Sequence, residues 1–147
     1  MTQSIPEPLQ GVATGLHHVA IAVHSLEEAR KLYVDSLGLR ALEPEHVAIQ
    51  KVNVQVLFAG DQRIELVEPA ADDSPITKYL AKRGEGIHHM AWSVDDCAAA
   101  LAILAARGIR LIDEVPKIGA HETITAFLHP KATAGVLMEL VQDPNAQ

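Results

Sequence analysis

The 147-residue sequence has a single cysteine, no run approaching about 20 apolar residues, and no excess of basic charge. Each absence removes a class of protein. One cysteine, Cys97, allows neither a disulfide framework nor a cysteine-based zinc site. Set in the alanine-rich stretch 95–108, it reads as a small buried hydrophobe rather than a nucleophile. The lack of a long apolar run leaves no expected membrane-spanning helix. A net charge of −7 argues against a general nucleic-acid binder, whose counterion release needs a basic face. It leaves room for an anionic small molecule held by a local cluster of lysines and arginines. Residues 1–14, with Pro6 and Pro8 among polar neighbours, show neither the basic start nor the apolar run of a secretory signal. A loose N-terminal arm and a reducing, cytoplasm-like compartment are the expectation.

What the sequence does contain is a repeat. "GLHHVAIAV" (15–23) returns as "GIHHMAWSV" (86–94), 71 positions later. At 48% hydrophobic and 21% charged, the chain can bury an ordinary core, and residues 15–147 are expected to form one domain. An acidic cap and a helical stretch follow each His-His strand: "SLEEARKLYVDSLG" (25–38) and "DDCAAALAILAARG" (95–108). Leu26, Ala29, Leu32, Tyr33 and Leu37 fall at helical spacing in the first, and Cys97, Leu101, Leu104 and Ala105 in the second. Ser25 and either Asp95 or Asp96 are N-cap residues, and Gly38 and Gly108 stand at C-terminal ends. Strands are then expected at "LGLRAL" and "RGIRLI", at 47–60 and 63–69 in the first half, and at 123–130 and 135–142 in the second. The joint, 70–86, holds a short helix capped by Asp73 or Ser74 with Pro75 in its first turn. The class is α+β: two βαβββ modules, 15–69 and 86–142.

Polar residues recur inside these apolar strands. Alternation puts His18 with Ala20 and Ala22 on one face, and His89 with Ala91 and Ser93 on one face, which leaves open space beside each imidazole. Glu65, between Ile64 and Leu66, and Glu139, between Met138 and Leu140, repeat in the last strand of each half. An ionised glutamate on an apolar strand is costly unless solvated, paired or bound to a cation. A single strand histidine is more often a hydrogen-bonded structural residue than a ligand. Four such residues in matched places, with Glu65 47 residues after His18 and Glu139 50 after His89, suit a divalent metal near a pseudo-twofold axis. Alternation sends His17 and His88 to the opposite face, where a structural role is expected.

These strands, with "IELVEPAADDSPITKYLAKRGEGIHH", "DEVPKIGAH" and "FLHPKATAGVLMEL", resemble the vicinal oxygen chelate superfamily and, within it, the methylmalonyl-CoA epimerases, over about residues 15–142. The resemblance implies an open, metal-holding barrel with His18, Glu65, His89 and Glu139 as metal residues, Glu65 standing where some members carry glutamine. It implies a divalent ion, cobalt first, with manganese, nickel or zinc as alternatives. It implies a cytoplasmic homodimer serving propionate metabolism, acting on an acyl-CoA by moving the C2 proton through a metal-stabilised enolate. Epimerisation needs an acid–base group on each face of the planar intermediate, and Glu139 and Glu65 are the candidates. Some members carry a second acid where this chain has Val54, beside Gln55. Glu122 replaces a common glycine after His121. Lys117, His121, His129 and Lys131 are candidate substrate contacts, and Lys82 and Arg83 further candidates for the CoA phosphates. A glyoxalase I-like lyase is the rival enzyme, but the nine residues from Pro130 to Glu139 exceed that family's shorter turn. A non-catalytic binding protein of the same fold would have no reason to keep four ligands.

Overall fold

The structure, a computed structural model, describes residues 11–145. Module one runs β1 (Gly15–Ala22), α1 (Leu26–Arg30), β2 (Arg40–Ala41), β3 (Glu45–Val47), β4 (Val52–Ala59) and β5 (Gln62–Pro69). A connecting helix, α2 (Pro75–Arg83), leads to module two: β6 (Gly86–Ser93), α3 (Cys97–Ala106), β7 (Lys117–Ile118), β8 (Ile124–Leu128) and β9 (Met138–Gln142). The strands form one sheet in the order β2-β4-β5-β1-β6-β9-β8-β7, with β3 also paired to β4.

The repeat is visible in the register. β1 pairs antiparallel with β6, and each pairs parallel with the last strand of its own module. Ala20 lies opposite both Glu65 and His89; Ala91 lies opposite both Glu139 and His18. Two small residues thus hold the four polar ones in a reciprocal arrangement. Ala20 and Ala91 are fully buried, so a larger side chain at either would push directly on the histidine and glutamate beside it.

Apolar clusters back the sheet. Val23, Leu26, Leu57 and Leu66 pack under α1, Ile76 and Leu80 of α2 pack on Ala20, Ala22 and Val67, and Cys97, Ala100 and Leu101 of α3 pack on Ala126 and Leu140. Leu57 and Leu66 are wholly enclosed, each contributing roughly 1.5–3 kcal/mol by burial. Ser25, Ser74 and Asp96 are the caps, accepting from the backbone N–H of Glu28, Ile76 and Ala99.

The structure departs from expectation at several elements. The first helix is α-helical only to Arg30, and Lys31–Ser36 continues as a π-helical segment. Its wider i→i+5 bonding, as in Leu37 N–H to Leu32 C=O at 2.9 Å, rotates the face away from the sheet and leaves Leu32 and Leu37 exposed. The run 47–60 is a hairpin rather than one strand, turned through 48–51 with Lys51 at φ 55°. Residues 107–112 make a single bridge, Leu111 to Leu128, and the short strand of module two is β7 instead. Residues 1–10 of the expected arm lie outside the described residues. Its end is docked: Thr14 N–H donates to Ser93 C=O at 2.8 Å, and Val12 packs on the α3 cluster.

Candidate metal centre and active site

The inner face of the sheet encloses a cavity of about 330 Å³. His18, His89, Glu65 and Glu139, the four residues singled out by the repeat, all line it and are all buried. His18 Nε2 and His89 Nε2 are 3.3 Å apart, and Glu139 Oε1 lies 3.5 Å from the first and 3.4 Å from the second. Donor atoms about 2.1 Å from a tetrahedral ion are about 3.4 Å from each other, so this triangle has the edge length of a ligand face. Two imidazole nitrogens and a carboxylate suit a borderline divalent cation. Burial, with the neighbouring His89, His17 and Arg63, holds the His18 pKa well below its ordinary value, so the ring is neutral and its lone pair is free for a metal.

Glu65 stands apart from that triangle. Its Oε2 is 3.1 Å from His18 Nδ1 and 4.0 Å from Arg63 Nη1. Burial, reinforced by the negative charge of Glu139, pushes its pKa up to about 8. A carboxyl so tuned can hold or release a proton near neutral pH, as an acid–base group must. Val54 faces the same cavity. Gln55, its neighbour, is engaged elsewhere, accepting from Arg30 Nη1 and donating to Leu42 C=O. Neither can supply the acid that some relatives place on this strand.

His17 and His88 do not turn away from the cavity. They line it. The β1–β6 register shifts between Leu16 and His18 and again between Ala20 and Ile21, opposite His89 and Ile87. Each shift is a β-bulge that breaks strict alternation and brings both histidines of a pair to the same side. His17 Nδ1 is 2.7 Å from His18 Nδ1, and His88 Nδ1 is 2.8 Å from His89 Nδ1. Behind His17 stand Asp143 and Arg63, neither of which the sequence singles out. Asp143 follows the last strand in "VQDP", where an acid reads as a turn residue. Burial pushes its carboxyl up, but bonds from His17 and the Asn145 backbone outweigh this and leave its pKa below the ordinary value. Phe127, equally unmarked in the sequence, sets its ring edge-on to His89 with centroids 5.2 Å apart.

Of the candidate substrate contacts, Lys117 lines the cavity, its Nζ 2.8 Å from the buried Asp113. Lys82, Arg83, His129 and Lys131 do not line it; His129 Nδ1 accepts from the Lys131 N–H in the turn before β9. His121 sits in a strained 3₁₀ turn, Ala120–Glu122, with φ 55° at His121 and 64° at Glu122. Its N–H donates to Glu45 Oε2 at 2.7 Å, tying the two modules together at the rim. Among the described residues its Nε2 is the buried side-chain polar atom without a partner. Cys97 is no nucleophile: it is buried, and desolvation pushes the thiol up to about 11.

Two repeated modules closing on a His–His–Glu face define a fold class, and the chain belongs to the Glyoxalase/Bleomycin resistance protein/Dioxygenase superfamily, which residues 17–127 match. Within it the chain is similar to methylmalonyl-CoA epimerases. The ethylmalonyl-CoA/methylmalonyl-CoA epimerase of Cereibacter sphaeroides is 40% identical over 129 residues, covering 86% of this chain and 96% of that one. The methylmalonyl-CoA epimerase of Mycobacterium tuberculosis has a structure with TM-score 0.87 at 36% identity, covering 91% of both chains. A Streptomyces coelicolor methylmalonyl-CoA epimerase variant in complex with 2-nitronate-propionyl-CoA gives TM-score 0.85 at 33% identity, covering 92% of this chain and 98% of that one.

Proposed function

We propose that this chain is a methylmalonyl-CoA epimerase, interconverting the (R) and (S) thioesters by transfer of the C2 proton. The observation that carries this is the reciprocal register that sets Glu65 and Glu139 in equivalent places, one in each module, beside the facing histidines. Inversion needs two proton-handling groups approaching one carbon from opposite faces, and a duplicated module supplies two carboxylates in that relation.

His18, His89 and Glu139 would hold the divalent ion, with Glu65 as a fourth ligand. A bound ion supplies Lewis acidity toward the thioester and carboxylate oxygens, stabilising the enolate. The other work falls to the chain itself. One carboxylate takes the C2 proton from one face while the other, protonated, returns a proton from the opposite face. Glu65, in module one where Glu139 stands in module two, is the second of these carboxylates. The apolar wall, including Val54 and Phe127, excludes water and keeps the carbanion from adventitious protonation. Lys117 at the cavity supplies positive charge for the anionic CoA ester, with Lys82, Arg83 and Lys131 as more distant partners for its phosphates and His121 and His129 as loop contacts.

Cobalt is the metal expected, and a cytoplasmic homodimer the working form, in propionate metabolism. Leu16 and Ile87 on the central strand pair, 47% and 63% exposed, are apolar surface that a second copy could cover.

Glutamine variants test the two-carboxylate scheme. Glu139→Gln and Glu65→Gln each abolish net epimerisation. One still exchanges the C2 proton of the (R) thioester with deuterated water, and the other that of the (S) thioester, with metal content measured alongside. Wild-type epimerisation by Glu65→Gln would reduce Glu65 to a replaceable ligand.

A further inference from the structure

The cavity's inner histidines are backed unequally, and the difference lies outside the ligand set. In module two, His88 touches His89 and then packs on the Tyr79 ring, centroids 4.8 Å apart. In module one, His17 continues to a buried carboxylate: its Nε2 lies 2.7 Å from Asp143 Oδ2, both side chains being about 95% enclosed. Arg63 Nη1 stands 3.3 Å from the same Asp143 oxygen and 2.8 Å from His17 Nε2.

Arg63 Nη1 can donate either to Asp143 or into a bare His17 Nε2, and the 2.7 Å contact of that nitrogen with a buried carboxylate favours a proton on Nε2 with Arg63 donating to Asp143. A carboxylate oxygen 2.7 Å from an imidazole nitrogen needs a proton between them, so His17 Nε2 carries one and donates it to Asp143. With its ring proton placed at Nε2, a neutral His17 has only a lone pair at Nδ1. Two ring nitrogens 2.7 Å apart also need a proton between them, and it must come from His18 Nδ1. His18 Nε2 is then left bare, directed at His89 Nε2 and Glu139 Oε1.

We infer that Asp143 and His17 are positioning residues that fix the tautomer and orientation of His18 for metal, an outer-shell relay found, among the described residues, in module one alone. The inference rests on the metal reading of His18 and extends it to two residues that touch neither metal nor substrate. Asp143 holds the Nε2–H form of His17, and His17 in turn accepts from His18. Arg63 neutralises the buried carboxylate. Outer-shell partners of this kind are worth about 10–100-fold in metal affinity. Glu65 Oε2, 3.1 Å from the same His18 Nδ1, is the competing acceptor.

The test compares wild-type protein with Asp143→Ala and Asp143→Asn. Zinc dissociation constants are measured by chelator competition, and histidine tautomers by ¹⁵N NMR of the metal-free proteins. In wild type, His17 carries its proton on Nε2 and His18 on Nδ1. In Asp143→Ala, the Arg63 N–H donates into His17 Nε2, so the His17 proton moves to Nδ1, and zinc binding weakens about 10–100-fold. Asp143→Asn, which retains a neutral acceptor oxygen, falls between the two and serves as the measure if the alanine variant does not fold. Wild-type zinc affinity and an unmoved His17 tautomer in these variants would overturn the relay while leaving the metal site intact. Wild-type protein that binds no zinc, cobalt or manganese would overturn the metal reading, and the relay with it.

Discussion

His18 Nε2 and His89 Nε2 face each other at 3.3 Å across the central strand pair, 71 residues apart in sequence. Lone pairs that close are unfavourable without a cation or proton between them, and burial holds His18 neutral. The Glu139 carboxylate completes the triangle. A cation at the centre of this triangle would meet all three ligand atoms at once.

His89→Ala should strip one corner of that triangle. The expected result is loss of stoichiometric metal and of turnover with the far-ultraviolet circular dichroism unchanged, because His89 lies on a strand held by backbone pairing on both sides. Elemental analysis of the purified variant is the check; full metal occupancy would contradict the ligand assignment.

Much of this site is legible in the amino-acid sequence, and the reason is the duplication. His18, His89, Glu65 and Glu139 stand out because each recurs inside an apolar strand at a matched position. Strict alternation misplaces His17 and His88 because it cannot anticipate a bulge, which depends on how β1 and β6 register against each other. Asp143 and Arg63 carry no local signal at all. Their role arises only when the start of β5 and the end of β9 are brought to the same histidine. The exposed Leu32 and Leu37 mark a similar limit: a π-helical segment spoils a face that 3.6-residue spacing predicts.

Glu65 should make the metal-free protein sensitive to pH. Its folded-state pKa of about 8 exceeds the ordinary glutamate value of 4.5, so between those limits the folded state binds a proton that the unfolded state does not. Stability contributed by this group is complete below about pH 4.5 and is lost as pH rises toward 8, at up to about 1.4 kcal/mol per unit. In chelator-treated protein, the thermal midpoint of wild type should fall relative to Glu65→Gln as pH is raised from about 5 to about 8. Parallel curves for the two proteins would contradict the shift.

The rim turn carries strain that can be relieved. His121 and Glu122 both occupy left-handed backbone at φ 55° and 64°, unfavourable for side chains with a Cβ. Glu122→Gly is expected to leave the fold intact and to stabilise it by about 0.5–1 kcal/mol, the relieved strain being partly offset by glycine's greater unfolded-state entropy. Thermal unfolding of the purified variant measures it, and a lowered midpoint would show that the turn is held by contacts of the Glu122 side chain.

Epimerisation itself is read by following C2 of (R)- and (S)-methylmalonyl-CoA by proton NMR in deuterated water with the purified protein. The two epimers should interconvert with solvent deuterium appearing at C2, both effects being lost on treatment with chelator and recovered when a divalent metal is restored. Metal-loaded protein that leaves the C2 proton of both epimers unexchanged would contradict the proposed reaction.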